Sequence, residues 1–103
     1  MDEGKEKYDQ LIRKSIQVQE HFQKRYKERV SKKSTKVLEF AADAYVKGKD
    51  TDSVKDKQIR RYLESRAEAH NSVCKIYRGF VCWFYCNWAV TVYPISNVKA
   101  RAD

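Results

Sequence analysis

The sequence has few glycine and proline residues, which are the residues that form most tight turns. Its 103 residues include three glycines and one proline, too few for the many tight turns of a β-sandwich or barrel. The same scarcity excludes a glycine-rich phosphate-binding loop, and no internal repeat is present. The first residues are acidic and no apolar run follows them, which predicts an intracellular protein that is not secreted.

Apolar side chains are also scarce over most of the chain. Thirteen of the sixteen residues from Phe80 to Ile95 are apolar, whereas only about a third of the other 87 residues are. This is little material for an independent core, because conformational entropy opposes the ordering of every residue. The distribution predicts a chain that depends on a partner for part of its core.

Before Phe80, the spacing of apolar residues predicts helices. Residues 6–31 lack glycine and proline and carry apolar side chains at steps of three and four, which indicates a coiled-coil-like helix with one narrow stripe. A second helix is predicted over 37–46, with Gly48 as a left-handed stop. A third is predicted from Val54 to about Arg78, behind a capping box at Ser53 to Asp56.

The apolar segment from Phe80 to Ile95 has three interpretations, namely a membrane-embedded or interfacial helix, a buried helix, or a hairpin with its turn at Cys86 and Asn87. We prefer a helix. The predicted fold is therefore mostly α, with two to three amphipathic helices followed by an aromatic-rich apolar C-terminal segment. The predicted regions are 1–78 (basic and helical), 79–95 (an apolar anchor or partner-binding element) and 96–103 (a polar tail).

Basic residues are concentrated after His21. Residues 21–36 contain seven Lys or Arg and one Glu, which is most of the chain's formal net charge of +8. Such a patch binds phosphates of nucleic acid or anionic lipid by displacing counterions, or it is a solvated helix end. The predicted anion- or partner-binding residues are Lys24, Arg25, Lys27, Arg29, Lys32, Lys33 and Lys36.

Four residues have the types that bind zinc, namely His70, Cys74, Cys82 and Cys86. Four-residue spacing places two ligands on one face of a helix, and two facing pairs would close a tetrahedral site. Known structural zinc sites use a shorter cysteine spacing, however, and cysteines among apolar residues pack as small hydrophobes or form a disulfide. We therefore predict no metal and no cofactor, and keep these four as the candidate ligands if a metal binds.

Neither histidine belongs to a recognisable catalytic motif, so we predict that the protein is not an enzyme. Aromatic residues near the C-terminus are instead predicted to contact lipid or another protein. The predicted apolar contact residues are Phe80, Trp83, Phe84, Trp88 and Tyr93.

These patterns lead to two functional hypotheses. The preferred one is a non-catalytic accessory subunit of a larger, membrane-associated assembly, which binds other protein subunits and anionic lipid, with a mitochondrial membrane favoured. The alternative is a small soluble helical module that binds nucleic acid through its basic residues. Salt dependence separates the two, because affinity for nucleic acid falls steeply with ionic strength.

Overall fold

The computed structural model describes residues 10–32 and 36–102, and side chains as far as Val98. The fold is mixed α/β, so the prediction of a mostly α-helical chain that ends in an apolar helix is wrong. A helix over the described residues 10–15 is α1. The elements that follow are β1 (Gln17–Val18), α2 (Glu20–Arg29), α3 (Val37–Lys47), a short 3₁₀ turn (Thr51–Ser53), α4 (Lys57–His70), β2 (Val73–Tyr77), β3 (Phe80–Tyr85), β4 (Trp88–Pro94) and α5 (Ile95–Ala102).

A four-stranded sheet in the order β1-β4-β3-β2 forms the middle layer. The last three strands are an antiparallel meander, and the two residues of β1 lie parallel to β4. The turn between β2 and β3 is Arg78-Gly79, whose φ angles of 51° and 80° are both positive, as a two-residue type I′ hairpin turn requires. The predicted boundary at residue 79 therefore falls inside one meander.

The apolar segment forms β3 and β4, as in the hairpin interpretation. Alternate side chains of β3 enter cores on opposite faces of the sheet: Cys82 and Phe84 enter one, and Val81 and Trp83 enter the other. A strand that is buried on both faces has no polar alternation, so its sequence resembles a buried or membrane helix. Within the part of the chain that the structure describes, no helix is long and apolar enough to cross a membrane.

The first core lies between the sheet and helices α2 and α3. Phe40 of α3 is at its centre, with ring centroids 5.3 Å from Tyr26 and 5.5 Å from Tyr77. The Tyr45 and Phe84 rings meet edge to face at 5.0 Å. Small residues of α3, among them Ala41 and Ala44, are fully buried and let this helix lie close to the sheet.

The second core lies on the opposite face, under α4 and α5. Leu63 of α4 and Val98 of α5 are fully buried against Val81 and Trp83. The chain therefore covers both faces of its sheet with its own helices and forms three layers. The composition predicted that a partner supplies part of the core. In the structure, the chain's own helices supply most of it.

The first predicted helix is interrupted, which corrects the prediction for 6–31 over its described part. The backbone N–H of Gln17 donates to the carbonyl of Asn87 at 2.8 Å, and that of Gln19 donates to the carbonyl of Ala89 at 3.0 Å. These hydrogen bonds hold two residues as a strand between α1 and α2. A pairing with residues 71 positions away overrides the local helical pattern.

The third predicted helix is too long at both ends. It begins after Asp56, whose carboxylate accepts hydrogen bonds from the N–H groups of Gln58 and Ile59, so Asp56 and not Ser53 is its N-cap. It ends at His70, because Asn71 adopts the left-handed conformation at φ 50°. Gly48 ends α3 in an extended conformation, not in the left-handed one that was predicted.

Candidate anion-binding cleft

An open cleft of about 510 Å³ lies on the second-core face, beyond the edge of that core. One wall is helix α2, the opposite wall is the C-terminal end of α4, and the floor is formed by β3 and β4. Its volume is within the range of about 300–1,000 Å³ that is usual for small-molecule sites.

Five basic or imidazole side chains line the two helical walls. His21, Arg25 and Arg29 follow one another at four-residue steps along one face of α2, and Arg66 and His70 have the same spacing on α4. None of the described residues that line the cleft is acidic. The three arginines give the walls three positive charges, so the cleft is suited to an anion.

The three guanidinium groups have different neighbours. Arg29 is oriented by the β4 edge, where its Nη1 donates to the carbonyl of Val92 at 3.0 Å. Arg25 forms an ion pair with Glu28 at 2.9 Å, and Arg66 lies over the Tyr62 ring at 5.6 Å from the centroid. A guanidinium has five N–H donors, so each group keeps donors for a further acceptor.

Aromatic residues form the floor. The indole N–H of Trp83 donates to the hydroxyl oxygen of Tyr93 at 2.8 Å, and both side chains are buried. Burial raises the pKa of Tyr93, against the lowering effect of the hydrogen bond from Trp83, so this hydroxyl is neutral at pH 7. Tyr85, the next residue of β3 on this face, is 49% exposed and offers a free ring surface.

The helix ends at the cleft also bear on its charge. The α2 helix begins beside Gln19, which lines the cleft and makes no side-chain cap, and its last residue, Arg29, also lines the cleft, so both ends of the helix dipole lie along this wall. At the end of α4, the N–H groups of Asn71 and Ser72 donate to the carbonyl of Ala67, and the Ser72 hydroxyl donates to that of His70. These donors occupy carbonyl groups that would otherwise repel an anion.

The predicted basic patch divides into two surfaces. Its arginines, Arg25 and Arg29, line the cleft, whereas Lys24 and Lys27 face solvent on another side of α2, beside Glu20 and Glu28. Lys32 and Lys36 are exposed. Lys33 lies outside the described residues.

The predicted apolar contact residues are mostly core residues. Trp83, Phe84 and Tyr93 are buried within the chain, and Phe80 is half-buried with its ring 6.1 Å from that of Phe40. Trp88 is 37% exposed, so it is the member of the set with the most accessible surface. Because most of these aromatic side chains pack within the chain, little of their surface is available for contact with lipid or a partner.

The candidate zinc ligands do not converge. Cys74 belongs to the second core and Cys82 to the first, while Cys86 is exposed in the β3–β4 turn and His70 lines the cleft. In the described part of the chain, no three His, Cys, Asp or Glu residues form a group that could hold a metal ion. Burial raises the pKa of Cys74 to about 12 and also raises that of Cys82, so both thiols stay protonated at pH 7.

Sequence reasoning missed His21, Arg66 and Tyr85 as members of one site. The available signal was the repeated four-residue spacing of basic and imidazole residues on two helices, next to the buried stripe of Phe22 and Tyr26. That spacing indicates a common helical face. It does not say that the two faces meet across a sheet, because the sheet was not predicted.

Comparison with known protein families, with curated proteins and with solved structures finds no match for this chain. We therefore argue its function from the charge and geometry of the cleft and from the residues that surround it.

Proposed function

We propose that this chain is a non-catalytic module that binds single-stranded nucleic acid along α2 and into the cleft. The observation that carries the proposal is that Arg25 and Arg29 of one helix and Arg66 of another line the same cleft as the exposed ring of Tyr85. Guanidinium groups match phosphate oxygens in a bidentate geometry, and aromatic rings stack on bases of any sequence.

Charge outside the cleft supports a long polyanion over an isolated small one. Lys24 and Lys27 lie on another side of α2, where Glu20 and Glu28 offset their charge, and the exposed Lys32 follows the helix. The formal net charge is +8, which favours association with nucleic acid through release of counterions. A single strand is favoured over a duplex because a base must be unpaired before it can stack on Tyr85.

The accessory-subunit hypothesis rests on a core that the chain was expected to lack. Because α2, α3, α4 and α5 cover the sheet, the apolar segment gives less support for a lipid or subunit contact than its composition does. That hypothesis stays a prediction. Its test is binding to vesicles of phosphatidylcholine with phosphatidylserine, measured beside the nucleic-acid experiment.

The first prediction concerns strand affinity. A 3′-labelled strand of about 12 nucleotides should bind with an affinity that falls roughly 50-fold between 50 and 200 mM salt, as expected for about four neutralised phosphates. Fluorescence anisotropy measures this for RNA, for DNA and for the duplex, which should bind more weakly. Absence of binding to any strand at low salt overturns the proposal, and vesicle binding in its place supports the accessory-subunit hypothesis.

Matched variants locate the contact. Arg66→Gln should weaken strand binding about 10-fold, whereas Arg61→Gln removes the same charge from an exposed position of α4 outside the cleft and should change affinity less than 2-fold. Equal effects of the two substitutions would mean that only the total charge matters, which contradicts the role given to the cleft.

A further inference from the structure

The charge of the cleft exceeds what one backbone phosphate neutralises. Arg25, Arg29 and Arg66 bring three positive charges to its walls. Among the described residues, Glu28 is the acidic partner of these arginines, and it pairs with Arg25 from outside the cleft lining. A phosphodiester carries a single negative charge, whereas a phosphomonoester carries between 1.5 and 2 at pH 7 and has three terminal oxygens.

The arrangement of donors also favours a group that is accessible from several sides. Arg25 and Arg29 approach from α2, and Arg66 approaches from α4 on the opposite wall. An internal phosphate has two free oxygens and chain on both sides, while a terminal phosphate presents three oxygens to both walls. The cleft volume of about 510 Å³ fits one nucleotide, and the Tyr85 ring lies at its floor for the base.

We infer that the cleft binds a terminal nucleotide, with its phosphomonoester between the α2 and α4 arginines and its base against Tyr85. This inference rests on the proposed function and adds the part of the strand that the cleft recognises. The phosphate is at the 5′ or the 3′ end, and the experiment distinguishes the two. The lysines of α2 contact the phosphates that follow along the strand.

The test compares strands that differ only at one end. A strand with a 5′-phosphate and a 3′ label, and a strand with a 3′-phosphate and a 5′ label, are each measured against the same strand with a hydroxyl at that end. One of the two phosphates should increase affinity about 10-fold. Equal affinity with and without both terminal phosphates overturns the inference.

Mononucleotides provide a second measurement that does not need a strand. The Trp88→Phe variant keeps Trp83 of the cleft floor as its single tryptophan, so its fluorescence reports occupancy. Adenosine monophosphate should change this signal, and adenosine should change it only at concentrations at least 10-fold higher. Inorganic phosphate that binds as well as the nucleotide would overturn the part assigned to the base.

Three substitutions in that background divide the site into its parts. Arg66→Gln should weaken nucleotide binding about 10-fold and remove the preference for a terminal phosphate. Tyr85→Ala should weaken it about 10-fold, and Tyr85→Phe should restore it, because the ring and not the hydroxyl stacks on a base. The pair Lys24→Gln with Lys27→Gln should weaken strand binding and leave nucleotide binding unchanged.

The two proposals fail separately. If unphosphorylated and phosphorylated strands bind equally and with a steep salt dependence, the nucleic-acid function stands and the terminal-nucleotide site is wrong. If adenosine monophosphate binds but no strand does at low salt, the cleft is a nucleotide site and the nucleic-acid function is wrong. Arg61→Gln is the control in both measurements.

Discussion

The two faces of the sheet differ in how completely helices cover them. On the first-core face, α2 and α3 bury Cys82, Phe84 and Val92. On the second-core face, α4 and α5 bury Val81 and Trp83, but Tyr85 remains half-exposed in the cleft. The first-core face, which we call the closed face, contributes to stability. The second-core face, which we call the open face, leaves room for a ligand beside Tyr85.

Substitutions at two neighbouring residues of β3 test this difference between the faces with the largest expected effect. Phe84 is fully buried on the closed face, and Phe84→Ala should lower the free energy of unfolding by about 3–5 kcal/mol. Tyr85→Ala, one residue later on the open face, should lower it by less than about 1 kcal/mol. Urea unfolding followed by circular dichroism measures both, and similar losses would mean that Tyr85 also belongs to the core.

Ionisation of the buried Cys74 thiol should have a smaller effect on stability. Burial raises the pKa of Cys74 to about 12, whereas an unfolded thiol ionises near pH 8.5. The unfolded state therefore binds fewer protons above about pH 8.5, so this contribution to stability is complete below that pH and decreases as pH rises toward 12. Between about pH 8 and 10 the loss should reach up to about 2 kcal/mol.

Urea unfolding at about pH 8 and about pH 10 measures this loss of stability. The Cys74→Ala variant should lose less stability than the unmodified chain between the two pH values. Thiol labelling of the native protein at pH 8 gives an independent control, because Cys86 is exposed while Cys74 and Cys82 are buried. One thiol should react in the native state and three in urea. Rapid labelling of all three in the native state would contradict the burial of Cys74 and Cys82.

The helices could be predicted from sequence where their cause is local. The predicted helix 37–46 agrees with the observed α3, Val37–Lys47, because its apolar period and the glycine after it lie within one segment. The prediction for Val54 to Arg78 failed after His70, because residues 73–77 carry apolar side chains that fit either a helix or a strand. Hydrogen bonding to β3 makes these residues a strand.

The sheet and the cleft depend on contacts between distant residues. Two residues of β1 pair with Trp88 and Ala89, and no local pattern indicates such a short strand. The continuous apolar run over β3 indicated burial but not its cause, which is helices on both faces. The basic run predicted Arg25 and Arg29 as anion-binding residues, while their separation from Lys24 and Lys27 required the position of α2 on the sheet.

The most direct test of the account is a map of backbone amide chemical shifts as a single-stranded oligonucleotide is added at low salt. We predict that the largest changes occur along α2 from Gln19 to Arg29, at residues 66–72 and at Tyr85, and that α3 on the closed face shows small changes. Changes concentrated on α3, or spread evenly over all exposed lysines, would contradict the assignment of the open cleft as the binding site.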